Sequence, residues 1–382
     1  MGAADGLLIP AGPVATLHRL RQALDLFKAP DDAAACLRAL VRQGLDQLPL
    51  PGSGQTLARW RALAAVAEHD LSLAKLYEGH TDALAILAEL DGAPTDHGAF
   101  RKQPERLSPG DEMVWGVWAS EAPGGRVSCE STTAATAATP ATLVGDDAVV
   151  LTGVKHWCSG ARTASHALLT VWPVEGQQPK DAPQLVWLPI DQPGAHVIAD
   201  AWKAVGMTAS ASLQVQLTGA RAWRVGSPGQ YLSRPGFWHG GAGVAACWYG
   251  GTTRLAKTLY RALAQRPEGS RSPFLLAAAG KVAVMMRALA LTLREAARWI
   301  DEHPHADASD IALGARLAAA AGATDVLEEV AAALGATPFC TDAAFARAAA
   351  DLPVFIRQSH GDRDYAALGQ QLVSKGEGLW AL

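Results

Sequence analysis

Two changes of hydrophobic period, one near Asp111 and one near Gly236, divide this chain into a helical stretch, a stretch of short strands and a second helical stretch. From about Thr16 to Leu90 apolar residues recur at intervals of three and four, as in Leu37, Leu40, Val41 and Leu45 and again in Leu73, Leu76, Leu84 and Leu87. That spacing marks one face of a helix, and Pro49, Pro51 and Gly52 break it into two groups. After Asp111 the runs 113–119, 148–152, 166–172, 185–188 and 213–217 are short, β-branched or aromatic, and separated by Gly, Pro and Asp. They read as strands of a small antiparallel sheet. Beyond Gly236, Ala-rich runs at 241–265, 273–302, 307–334 and 341–359 are long enough to pack as a bundle. The expected class is α+β, with a helical domain over 1–110, a β-domain over 111–225 and a helical bundle over 226–382.

With 382 residues, 49 % hydrophobic and 18 % charged, the chain can bury a large core. A net charge of −4 offers no basic footprint for nucleic acid or an anionic membrane. Cys36, Cys129, Cys158, Cys247 and Cys340 are scattered, without Cys-x-x-Cys or Cys/His spacing, so neither a disulfide framework nor a metal site is expected. The N-terminus lacks a charged region followed by an apolar one, and no apolar run is expected to reach the ~18 residues of a membrane span. A cytoplasmic protein is expected.

Two segments carry chemistry. Gly153-Val-Lys-His-Trp-Cys-Ser-Gly-Ala161 and Ala201-Trp-Lys-Ala-Val-Gly-Met-Thr-Ala-Ser-Ala-Ser212 together resemble the central β-domain of acyl-CoA dehydrogenases. There the corresponding segments read roughly Gly-x-Lys-x-Trp-x-Thr-Asn-Gly and Trp-x-x-Leu-Gly-Met-Arg-x-Ser. The resemblance implies an antiparallel β-barrel between an N-terminal helical domain and a C-terminal four-helix bundle. It also implies FAD as cofactor and a homodimer or homotetramer. By position, Trp157 would stack on the flavin ring and Ser159, replacing the usual Thr, would bond near its N5. Trp118-Ala-Ser-Glu121 matches a second flavin-edge segment, giving Ser120 a hydroxyl role and Trp118 a place beside it. The following Gly124-Gly-Arg-Val-Ser128 departs from the family's Gly-Ser-Asp ending. Arg271 in Arg271-Ser-Pro-Phe274 retains the arginine that would meet pyrophosphate across a dimer interface. Of the family's Gln-x-x-Gly-Gly segment only Gly335 remains, with Ala332 at the Gln position.

The resemblance fails at the base. Phe339 and Asp351 are twelve apart, as in the family, but eight residues beyond Asp351, where a Glu abstracts the α-proton, stands Ser359, followed by His360. His360, flanked by Arg357, Asp362 and Asp364, is the first substitute, because an imidazole with a neighbouring carboxylate works as a base near neutral pH. His239, in a glycine-rich stretch that suits close approach of a ligand, is the second. His80 and Asp70 read as structural. The leading expectation is oxidation of an acyl thioester, on CoA or a carrier protein, with an unspecified electron acceptor. The alternatives are a monooxygenase of the same fold acting on another small molecule with flavin reduced by a partner reductase, and a non-catalytic subunit or acyl-thioester binder.

Overall fold

The computed structural model describes residues 13–27, 32–90, 113–123, 125–131, 148–174 and 182–376. The expected domain boundary at 110/111 lies outside them. Four helices open the chain: α1 (Pro13–Asp25), α2 (Ala33–Arg42), α3 (Thr56–His69) and α4 (Leu71–Leu90). Side-chain caps set two of their starts: the Asp32 carboxylate accepts the Ala34 N–H at 2.9 Å, and that of Asp70 accepts the Leu73 N–H at 2.7 Å. His80 fastens α4 to its surroundings as a neutral tautomer. Its Nδ1 accepts the Trp115 N–H at 3.1 Å, so Nε2 carries the proton shared with Asp46 at 3.1 Å.

Seven strands follow: β1 (Trp115–Trp118), β2 (Ser128–Ser131), β3 (Ala148–Cys158), β4 (His166–Pro173), β5 (Gln184–Pro189), β6 (Ala195–Ile198) and β7 (Leu213–Val225). The pairing path β4–β2–β3–β7–β5 returns to β4, which also pairs β5. The sheet is mixed, not antiparallel as expected. β2 lies between β3 and β4, running against the first and along the second, and β1 runs along the same edge of β4. Val149, Leu151, Leu169, Val171, Val215 and Leu217 fill its interior.

Helices then continue to the end: α5 (Gln230–Ser233), α6 (Pro235–Ala264), α7 (Pro273–Glu302), α8 (Ser309–Leu334), α9 (Thr337–Thr341), α10 (Ala343–Phe355) and α11 (Asp362–Lys375). The four expected Ala-rich runs are α6, α7, α8 and α10, and α11 is an addition that begins just past Gly361 at φ +56°. Both helical groups share one core, in which Leu37, Trp60 and Leu73 join Trp248, Leu255, Val326, Phe345 and Leu352. This shared packing places α4 against α6 and beside the sheet.

Helix α7 differs from the expectation of no membrane-length apolar stretch, since it has the length and composition of one. Lys281 and Arg287 interrupt the apolar run. Lys281 is bound to Glu329 on α8 at 3.1 Å, and Leu275, Val282, Leu289 and Leu293 pack inward. Phe274, Leu276, Val284 and Leu291 are exposed on this helix.

Candidate functional site

A cleft of about 680 Å3 opens where α4, β1, the end of β3, the loop before β7, α6, α8 and the segment after α10 converge. Sites for cofactors and small molecules occupy roughly 300–1,000 Å3. Of the residues singled out in the sequence, Trp118, Ser120, Trp157, Ser159 and His360 line it.

The sheet-side wall holds unusual backbone. Among the described residues, three without glycine's freedom have positive φ: Trp157 at 54°, Met207 at 59° and Ala211 at 44°. Trp157 and Met207 line the cleft, and Ala211 separates two serines that do. Such conformations cost on the order of 1–3 kcal/mol each and persist where neighbouring contacts enforce them. At Trp157 the cause is a register shift between Lys155 and Cys158 in the β3–β7 pairing, a bulge that re-aims a side chain. The indole is left 50 % exposed, standing in the cleft. Two residues earlier, Lys155 is buried, donates to the Thr170 carbonyl and hydroxyl at 2.9 Å each, and is held by burial at a pKa of about 8.

At Met207 the enforcing element is α10. The Met207 N–H donates to the Asp351 carboxylate, and a Cβ on Gly206 would stand 2.1 Å from the Ala350 carbonyl oxygen. The 201–207 loop therefore rests directly on α10 through a position where no side chain fits. Burial pushes the Asp351 carboxyl up to about 6, against the opposing pull of the Met207 N–H.

Three hydroxyls follow from this turn. Ser159 Oγ lies 2.8 Å from Ser212 Oγ, which lies 2.8 Å from Ser210 Oγ, and Ser210 donates to the Met207 carbonyl at 2.7 Å. All three line the cleft. The Ser159 carbonyl is occupied by the Trp118 indole N–H at 3.0 Å. Ser120 is exposed at the rim.

The buried end is charged, which sequence reading missed. Lys75, Glu78, Gly79 and Asp82 project from α4 into the cleft, at the i, i+3, i+4 and i+7 spacing of one helix face. Lys75 and Glu78 pair at 2.8 Å. Asp82 accepts no hydrogen bond from the described residues, and its carboxyl is pushed up mainly by burial, with Arg234 opposing. Opposite stand Arg234, paired with Glu89 at 2.6 Å and with its Nε buried and unpartnered, and Arg316, which donates to the Gly241 and Gln358 carbonyls at 2.9 and 2.7 Å. The Gly240 position in α6 lets Asp82 approach, since a Cβ there would sit 2.7 Å from its carboxylate. The glycines near His239 thus admit the protein's own charged groups. A charged stripe on an otherwise apolar helix was the available signal.

The candidate bases separate. His360 reaches the cleft with its ring 3.3 Å from Asp364, and its backbone N–H donates to the same carboxylate at 2.9 Å. Burial alone would raise the Asp364 carboxyl, but the His360 backbone and ring, Ser359 and Arg316 outweigh it and hold the group below the usual carboxylate range. Ser359 is buried and donates to Asp364 at 3.2 Å, so it orients the carboxylate and does not line the cleft. His239 is also absent from the cleft lining, because its ring is buried beside Gly52. Burial lowers its pKa, and its Nε2 has no partner among the described residues. Arg271, before α7, and Gly335, which ends α8 at φ +65°, lie outside this cleft.

Among the described residues no group of three His, Cys, Asp or Glu side chains could hold a metal ion. No protein-family model and no curated protein matches the chain. Solved structures do. TdsC from Paenibacillus sp. A11-2, in complex with FMN and indole, superposes with a TM-score of 0.75 at 17 % identity, covering 95 % of this chain and 97 % of that one. KijD3, with FMN and a dTDP-linked amino keto sugar, gives 0.73 at 17 %, covering 97 % and 95 %. Glutaryl-CoA dehydrogenase from Mycobacterium smegmatis gives 0.72 at 16 %, covering 97 % of each. The chain therefore has the acyl-CoA dehydrogenase-like fold, one that holds flavin in enzymes of more than one kind.

Proposed function

We propose that this protein is a flavin-dependent enzyme of the monooxygenase type, acting on a small aromatic or heteroatom-bearing molecule with flavin reduced elsewhere. The observation that carries this reading over thioester oxidation is the charged buried end of the cleft. An acyl chain seated there would lie against Lys75, Glu78, Asp82, Arg234 and Arg316 and return no hydrogen bond to Asp82, which is costly for a charged group. A ligand with polar edges meets the Asp82 carboxylate, which accepts no hydrogen bond from the described residues, instead. The half-exposed Trp157, the hydroxyls of Ser120 and Ser159 and the adjoining Trp118 form a wall suited to a planar ring. When bound, the flavin supplies the redox chemistry, and the protein's residues orient it and exclude water.

The fold's structural neighbours include TdsC, a dibenzothiophene monooxygenase, and KijD3, both with bound FMN. They support a flavin for this chain without selecting FAD over FMN. The test supplies the protein with reduced FMN or FAD, oxygen and a panel of indoles and amines. Substrate-dependent product formation is expected, together with no bleaching of oxidised flavin by acyl-CoAs. Bleaching by an acyl-CoA would restore the dehydrogenase reading, and activity in neither assay would favour a non-catalytic role.

We further propose that a second copy covers the exposed apolar residues of α7, which bring Phe274, Leu276, Val284 and Leu291 to one long helix. Arg271 and Gly335 would then contribute across that boundary. Light scattering at micromolar concentration should show at least a dimer, and a monomer there would contradict it.

A further inference from the structure

The serine chain has a fixed direction. Each hydroxyl carries one proton. A carbonyl can only accept, so the 2.7 Å contact commits the Ser210 proton to the Met207 oxygen. Ser212 must then donate to Ser210, and Ser159 must donate to Ser212, for both 2.8 Å contacts to be hydrogen bonds. Any other assignment leaves two oxygens facing each other at 2.8 Å with no proton between them. The Met207 end cannot swing to release the chain, because its N–H is held by Asp351 and Gly206 is pressed against α10. Ser159 therefore faces the cleft with lone pairs only, and its carbonyl is already taken by Trp118.

We propose that the Ser159–Ser212–Ser210 chain makes this wall of the cleft a hydrogen-bond acceptor, and that it thereby selects the reduced form of the flavin. This rests on the flavin reading above. An oxidised isoalloxazine presents an unprotonated nitrogen, N5, on its central ring, whereas the reduced ring bears an N–H there. An acceptor wall satisfies the second and leaves the first facing lone pairs. Ser210 and Ser212 thus act as positioning residues that set redox-state preference through Ser159.

The test is anaerobic titration of the full-length protein with oxidised FMN and with dithionite-reduced FMN, followed by calorimetry. Wild type should bind the reduced form roughly 5–50-fold more tightly, the range for exchanging a made hydrogen bond for an unmade one. Ser212→Ala frees the Ser159 proton to point into the cleft, so oxidised FMN should bind more tightly and the ratio should fall toward one. Ser210→Ala removes the anchor and should act in the same direction, giving a second variant if the first fails to fold. Equal binding of the two forms by wild type, or an unchanged ratio in a folded variant, would overturn this assignment while leaving the flavin reading intact. Binding of neither form by wild type would overturn both.

Discussion

Replacing His360 with alanine is expected to lower turnover of bound flavin and substrate by about 10²–10⁴-fold, the range for losing a general acid–base group, with flavin affinity unchanged. The imidazole reaches the cleft while its nearest neighbour in sequence does not. Ser359 spends its hydroxyl on Asp364, and Asp364 in turn holds the His360 backbone and ring. The Asp364 carboxyl, held below the usual range, stays ionised through neutral pH and is lost as a partner only on acidification through its lowered pKa. Its contribution to stability has the same sign: present above the unfolded carboxylate pKa, and lost as pH falls through the folded one. Asp364→Asn should therefore reduce turnover less than His360→Ala and shift its pH profile. Unchanged turnover in His360→Ala, measured by stopped flow, would remove the imidazole from the chemistry and direct attention to Asp82.

Trp157→Ala should weaken flavin binding by about 1–3 kcal/mol, the usual loss for an aromatic platform under a stacked base, or roughly 5–150-fold in Kd. Trp157→Phe should recover part of that. The strained backbone at this position costs stability whether the side chain is indole or methyl, so the alanine variant should melt close to wild type. A large fall in melting temperature would instead mark the indole as packing, against its 50 % exposure.

Much of the fold was legible because its signals are local. The Ala-rich runs announced α6, α7, α8 and α10, and the β-branched runs announced β3, β4 and β7. Strand direction was not local: whether β2 runs with or against β4 depends on which strand it inserts beside, and no residue within Ser128–Ser131 encodes that. The site divides in the same way. Trp157, Ser159 and His360 stood in motifs with fixed spacing. Lys75, Glu78 and Asp82 belong to no motif, and only the packing of α4 against α6, with Gly240 opposite Asp82, turns their face of the helix into a cleft wall. His239 drew attention through its glycine neighbours, yet Gly240 makes room for Asp82 while the His239 ring lies beside Gly52, outside the cleft lining.

The most direct test of the central claim, that this cleft holds a flavin, is an anaerobic titration of wild-type and Trp157→Ala protein with reduced FMN and FAD. Saturable binding of at least one flavin at one site per chain, weakened severalfold or more in the variant, is the expected result. Absence of saturable binding by either flavin, or binding that Trp157→Ala leaves untouched, would contradict it.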